Sequence, residues 1–348
     1  AMAGGRGPDV FLLPQDLVLR FQDKVTPVPF ASFPERLYKD SFVEQGELYL
    51  SPEGVLAFPI TLDPLVLYYN RDLLASAGYA KPPATWGELA ETVPQLTTKD
   101  TRGNILKSTI ALGTFDNISH AEDIISLLLL QTGNTIIEQT PNGPRSIIAQ
   151  SSSNAAGEDQ NIEALNFYTS FSNPILDQYS WNRSLPMSRD MFIAGDSTFY
   201  IGYGGELFDI QTANPNLNFD VATVPQLEGA PRRTTFGTMN GIAIARATTN
   251  PLGSFFVVSE LSGPALAEKL AISLSLPPAR RDLLALNPSN PYVEIFYNSA
   301  LVSRGWLEPS PGVAREVFRT MISDILAGRT APAQALSNAG NQLSVFLR

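Results

Sequence analysis

Apolar residues in this 348-residue chain fall into short runs and helix-spaced stripes that alternate from one end to the other. That order predicts an α/β architecture rather than an all-β or all-α one. Pro8-Asp9 leads into Val10-Phe11-Leu12-Leu13, the run of a buried strand. Gly54 to Ile60 reads as another strand, and apolar residues resume from Leu65 to Tyr69 and stop at Asn70. Phe199 to Ile201, Phe219 to Val224 and Gly241 to Ala245 carry the same signal. Helices are marked by their starts. Pro82-Pro83 bars extension upstream, Thr85 can cap, and Glu88 stands three positions on, as a capping box requires. Ser119 and Glu122 repeat that spacing and predict a helix through Leu130 that stops at Gly133-Asn134. Ile162, Leu165, Phe167, Tyr168 and Phe171 stripe a further helix, and Asn250-Pro251 opens one with Asn as cap and Pro at the first position. The polar stretch from Pro141 to Asp159, with Ser151-Ser152-Ser153-Asn154, reads as a surface loop. The C-terminal third is helical, with breaks at Pro277-Pro278, Pro288, Pro291, Pro309 and Pro311.

Length points to about two domains, since single cores stop growing near ~250–300 residues. Lys and Arg number 24 against 34 Asp and Glu, a net charge of −10, so the surface repels phosphate backbones and anionic lipid. Nucleic acid is not an expected partner. The chain has no cysteine, which removes disulfides, thiolate nucleophiles, Cys-based zinc sites and iron–sulfur clusters together. Its single histidine, His120, rules out the HExxH zinc motif. The densest apolar cluster, Ile124 to Leu130, is far short of the ~20 residues of a membrane span. Ala1-Met2-Ala3-Gly4-Gly5 has neither the basic nor the apolar region of a signal peptide and is read as a processed start.

Enzyme motifs are missing. There is no GxxxxGK[ST] loop and no GxSxG elbow, and Gly202-Tyr203-Gly204-Gly205 lacks the GxGxxG spacing that places amides on a pyrophosphate. A tight strand-to-helix turn is the better reading of those glycines. Glu122 and Asp123 are adjacent, so on a helix they point ~100° apart and cannot face each other across a glycosidic bond. Glu122 is read as a helix-start charge. His120 is read as a structural residue or a polar ligand contact, not a base, because no nucleophile or orienting carboxylate is nominated beside it. Trp86, after the capping Thr85, is assigned to packing. Trp181, Tyr203 and Trp306 lie near Gly/Pro/Ser-rich turns, a setting that fits partly exposed platforms and plain packing equally.

Two blocks are more specific than any short motif. The first runs Leu56-Ala57-Phe58-Pro59-Ile60-Thr61-Leu62-Asp63-Pro64-Leu65-Val66-Leu67-Tyr68-Tyr69-Asn70-Arg71-Asp72-Leu73-Leu74, then Ala77-Gly78, then Pro82-Pro83-Ala84-Thr85-Trp86-Gly87-Glu88-Leu89. The second runs Phe192-Ile193-Ala194-Gly195-Asp196-Ser197-Thr198-Phe199-Tyr200-Ile201-Gly202, then Leu217-Asn218-Phe219-Asp220-Val221-Ala222-Thr223-Val224-Pro225. Gln131-Thr132-Gly133-Asn134 and Leu276-Pro277-Pro278-Ala279-Arg280-Arg281 add weaker support. In this order the blocks resemble family 1 extracellular solute-binding proteins, the sugar-type, maltose-binding-protein-like substrate-binding components of ABC importers.

The resemblance implies a two-lobed, type II periplasmic-binding-protein-like α/β fold with crossover hinge segments. It places the first lobe at 1–112 plus 239–279 and the second at 113–238 plus 280–348. Gly7-Pro8-Asp9-Val10-Phe11 matches a strand that in the family follows a strand–helix–strand unit, so the first lobe is expected to be incomplete at its N-terminus. Tyr203-Gly204-Gly205-Glu206 stands where relatives often carry Trp. The implied function is binding of a mono- or oligosaccharide in an interlobe cleft by hinge closure, with no cofactor, no metal and no bond broken. The implied partners are the membrane permease subunits, and the protein is expected to be a monomer outside the cytoplasm, in the periplasm or as a cell-surface lipoprotein. Ligand contacts carried over by the resemblance are Gln15, Asp16, Asp63, Asn117, His120, Tyr203, Glu206, Thr238 and Asn240, with Arg280 and Trp306 as weaker candidates. A polyamine or a phosphate-containing solute in the same fold, or a glycan-processing enzyme, remain the alternatives.

Overall fold

One strand of 13 residues, Phe58–Asn70, carries the chain from one half of the fold into the other. The computed structural model describes residues 7–151, 157, 159–230, 232–286, 288 and 290–347. Its principal strands are β1 (Val10–Pro14), β2 (Phe58–Asn70), β3 (Thr98–Lys99), β4 (Ile105–Ile110), β5 (Ser197–Tyr203), β6 (Phe219–Ala222) and β7 (Thr235–Ile244). Buried on both faces for most of its length, β2 is nearly continuous in apolar residues, which is how a covered strand reads. The sequence expectation split it in two because Thr61-Leu62-Asp63-Pro64 interrupts the run. The chain divides into two compact units: residues up to Pro64 with Gly237–Pro311, and Leu65–Phe236 with Gly312 onward. The expected lobe limits are therefore corrected. Residues 65–112 belong to the second unit and 237–238 and 280–311 to the first: β2 and β7 each change unit in mid-strand, where no loop or composition shift marks it, and the last limit falls at Pro311, where the helix Pro311–Leu326 opens.

In the first unit β1, β7 and β2 pair antiparallel, Val10 opposite Ile244 and Thr238 opposite Asp63. Tyr38, Phe42, Phe58, Ile60, Ile242, Ile244 and Val258 form its buried core. Phe33 meets the Phe58 ring edge-on at 5.0 Å, the favoured arrangement for aromatic quadrupoles. Gly54 lies beneath this core at φ 139°, where an added Cβ would stand 2.2 Å from the Val28 carbonyl oxygen. Only glycine allows the backbones of Val28 and Val55 to exchange their hydrogen bonds of 2.8 and 2.9 Å.

In the second unit the order is β6–β2–β5–β4–β3, antiparallel except for the parallel pair β4 and β5. The helix Trp86–Leu96 begins with the predicted capping box of Thr85 and Glu88. Trp86 is buried as expected, its Nε1 donating to Gln131 Oε1 at 2.6 Å on the helix Ala121–Gln131. That second helix starts differently from the prediction. Its N-cap is His120, left-handed at φ 59°, and Ser119 makes no cap; the Ser119 N–H donates to Ser188 Oγ instead. The striped helix is Gln160–Ser170, and Asn250 caps Pro251–Leu261 as expected. Part of the expected loop after Pro141 is a strand, Gly143–Ser146, paired with Ile137–Thr140, while Ser152-Ser153-Asn154 lie outside the described residues. Trp181 and Trp306 are core residues, 0% and 1% exposed, which decides for packing over an exposed platform at both. Among the described residues no helix is long and apolar enough to cross a membrane.

Truncating the ring at the centre of the first unit's core removes both its buried area and its edge-on partners. Phe58→Ala is expected to lower unfolding stability by ~3–5 kcal/mol, read as a drop in the urea midpoint without a change in slope.

Candidate functional site

The richest concentration of polar chemistry in the second unit lies where β5 ends. Tyr203 closes the strand, Gly204–Glu206 makes one tight turn, and Leu207–Ala213 continues as a helix, the strand-to-helix turn read from the glycines. Glu206 folds back so that its Oε1 accepts from the Tyr203 N–H at 2.8 Å. Glycine at 202 is what permits this. A Cβ there would stand 2.4 Å from a Tyr200 ring carbon and 2.8 Å from Glu206 Oε1.

Three further groups converge on the Glu206 carboxylate. His120 Nε2 is 2.8 Å from Oε1, and the Tyr200 hydroxyl donates to Oε2 at 2.8 Å. Arg189 Nε lies 2.9 Å from Oε2 as an ion pair, off the line of a hydrogen bond, and the same guanidinium reaches Asp209 at 3.3 Å. On the other side His120 Nδ1 faces Asp123 at 3.6 Å, one helical turn along, and Asp123 Oδ2 accepts the Tyr203 hydroxyl at 2.9 Å. The His120 ring meets Tyr203 edge-on at 4.7 Å.

These distances fix the protonation states. Burial alone pushes the His120 imidazole down, but its bonds to Asp123 and Glu206 outweigh burial and raise its pKa from 6.5 to about 9. Burial pushes the Glu206 carboxyl up, and His120, the Tyr203 N–H and the Tyr200 hydroxyl more than reverse that, holding it below the usual range. Burial, with Glu206 beside it, drives the Tyr200 hydroxyl far upward, so it stays a donor. At neutral pH two cations, His120 and Arg189, therefore stand among three carboxylates, Glu206, Asp123 and Asp209. With both imidazole nitrogens protonated His120 has no lone pair for a metal, and among the described residues no His/Asp/Glu group is arranged to hold one.

The first unit carries a second set. Thr238 and Asn240 are two apart on β7 and so share a face; Asp63 is opposite Thr238, and Pro14, just before Gln15 and Asp16, is opposite Asn240. Thr238 is exposed, and Asp16, Asp63 and Asn240 are half-buried. Gln15 is elsewhere: its Nε2 donates to the Gly237 carbonyl at 2.9 Å in a buried network with Gln45 and Ser303.

The eleven expected contacts thus divide. His120, Tyr203 and Glu206 come together in the second unit, and Asp16, Asp63, Thr238 and Asn240 share a region of the first. Asn117 is a bracket: its amide donates to the Asn182 and Leu185 carbonyls and accepts from Thr114 and Trp181. Arg280 is committed to Asp282 at 2.9 and 3.0 Å and to the Ser262 carbonyl, and Trp306 is core. Sequence reasoning missed Asp123, Arg189 and Tyr200 in the cluster. Asp123 had a legible signal, its i, i+3 spacing from His120; Arg189 and Tyr200 had none.

A family model described as bacterial extracellular solute-binding protein matches residues 1–295. Solved structures share the fold across almost the whole chain. The cyclic α-maltosyl-1,6-maltose binding protein of Arthrobacter globiformis has 16% identity and a TM-score of 0.78, covering 99% of this chain and 86% of that one. A cyclo/maltodextrin-binding protein complexed with maltotetraose has 18% identity and a TM-score of 0.75, covering 98% and 83%. The GacH receptor of Streptomyces glaucescens, solved unliganded and with acarbose, has 18% identity and a TM-score of 0.70, covering 100% and 86%.

Because His120 is the only histidine, its proton resonances identify it without assignment. They are expected to titrate near 9 in the folded protein. A group whose pKa rises on folding stabilises fully below its unfolded value and loses that contribution above the folded one. The His120 contribution, about 3 kcal/mol by the size of the shift, is therefore expected whole below pH 6.5 and gone above about 9. Urea unfolding across that range checks it, and His120→Gln should flatten the profile.

Proposed function

The chain belongs to the bacterial extracellular solute-binding proteins, and from that premise we propose that it binds a neutral, hydroxyl-rich solute, a mono- or oligosaccharide, and releases it chemically unchanged. The observation that carries this reading is Tyr203. It is a half-buried ring fixed in a patch whose cations, His120 and Arg189, are already paired with carboxylates. A ring face packs against sugar C–H groups, while the hydroxyls seek polar groups at its edge. In the first unit, Asp63, Asp16, Thr238 and Asn240 supply acceptors and donors of the kind that bind hydroxyls; Asp63 can accept from two at once. An anionic solute would call for convergent guanidinium groups; Arg189 and Arg280, the arginines of the cluster and of the expected contacts, are both paired with carboxylates. The solved proteins of this fold that bind oligosaccharides support the same class of ligand.

Family membership places the protein outside the cytoplasm. We further assign it the role of delivering its solute, as a monomer, to the membrane permease subunits of an ABC importer, from the periplasm or from a lipid anchor at the cell surface. A binder of this kind needs no nucleophile and no acid–base pair. Asp123 and Glu206, the paired carboxylates of the second unit, are held by cations and hydroxyls rather than poised across a bond.

Maltotetraose, mannobiose, spermidine and inorganic phosphate, each offered in a thermal unfolding series, separate the alternatives. A sugar at about 100 times its Kd should stabilise by ~2.7 kcal/mol and be recovered intact by chromatography. Stabilisation by spermidine or phosphate alone, or cleavage of the sugar, would sink the reading. Tyr203→Ala should weaken sugar binding about tenfold or more, read by titration calorimetry.

A further inference from the structure

Every polar atom of Tyr203 is engaged. Its N–H donates to Glu206 Oε1 at 2.8 Å, its carbonyl accepts the Tyr68 hydroxyl at 2.7 Å, its own hydroxyl donates to Asp123 at 2.9 Å, and the His120 ring packs edge-on against it. The groups doing the holding are themselves held. Glu206 Oε1 takes His120 Nε2 and the Tyr203 N–H, and Oε2 takes the Tyr200 hydroxyl and the Arg189 ion pair. Three hydrogen bonds and an ion pair thus surround one carboxylate, all from side chains and backbone of the same unit. His120 directs one nitrogen at Glu206 and the other toward Asp123. The short contacts of both side chains are thus made to the groups that frame Tyr203.

We propose that His120, Glu206 and Asp123 are positioning residues that act on the solute only through Tyr203, fixing its ring in the binding orientation before the solute arrives. This replaces the expectation that His120 and Glu206 touch the solute, and it rests on the reading of Tyr203 as the ring that does. A ring with a free χ1 loses rotamer freedom on binding, whereas one already fixed does not, so preorganisation raises affinity without adding a contact. The local backbone fits the assignment. His120 holds a left-handed conformation, unusual outside glycine, which places its ring between Asp123 and Glu206. Gly202 leaves open the space that Glu206 and Tyr200 fill.

Two measurements on the full chain test it. In protein labelled at the tyrosine ring carbons, with Tyr203 assigned through Tyr203→Phe, the wild type should give separate, slowly exchanging signals for the two ring edges. Glu206→Gln, His120→Gln and the milder Asp123→Asn should each average or broaden those signals while the signals of buried Tyr38 and Tyr168 stay put, which also reports that the variant is folded. Unchanged Tyr203 signals in all three overturn the proposal. Calorimetry with maltotetraose then closes a double-mutant cycle. Glu206→Gln should cost about tenfold in the wild type and nothing further on a Tyr203→Ala background. An equal loss on both backgrounds makes Glu206 a direct contact and overturns the proposal. Wild-type protein that ignores maltotetraose, mannobiose and other sugars would refute the solute reading instead, leaving the ring signals to decide the positioning.

Discussion

Glu206 carries a negative charge where its side chain is only 15% exposed, and the geometry around Tyr203 follows from neutralising it. A charge moved from water into a protein interior is tolerated only when paired and hydrogen-bonded. Here the compensation comes from three places in the sequence: the start of one helix, a short helix near 189, and the strand β5, which supplies both the Tyr200 hydroxyl and the Tyr203 N–H. Because His120 and Arg189 share one acceptor, the turn cannot shift without uncovering a charge. The tight turn is thus held by electrostatics as much as by backbone hydrogen bonding, and the half-buried ring at its head inherits that rigidity.

Much of the fold was legible because its signals are local. Thr85 and Glu88 announced a capping box, Asn250-Pro251 a helix start, and the glycines from 202 to 205 a turn, and each is present. Local signals failed where a long-range contact won. Ser119 had the spacing of a cap, but Ser188, from a distant segment, takes its N–H, and His120 turns left-handed to begin the helix. The limits of the two units were illegible for another reason. Two of the three fall inside β2 and β7, where a strand that keeps its pairing while changing unit leaves no turn residue to mark the place; the third, at Pro311, opens a helix.

For the candidate site the sequence named residues better than roles. Tyr203, Glu206 and His120 were singled out together and do meet, yet what joins them, Asp123, Arg189 and Tyr200, went unnamed. Gln15 and Asn117 show the opposite error. Amides that look like hydroxyl-binders in one dimension are satisfied by backbone carbonyls in three. No spacing rule distinguishes a side chain that waits for a guest from one that is already occupied.

The hollow above Gly202 ties two positions together. Any side chain at 202 would strike the Tyr200 ring and the Glu206 carboxylate, so even an alanine must displace an acid that anchors two cations. Drift at this site is therefore not free to proceed one codon at a time. A lineage that fills the hollow must surrender the acid in the same step, and with it the bonds that hold the aromatic ring, which makes the turn a place where ligand preference would change abruptly rather than by degrees.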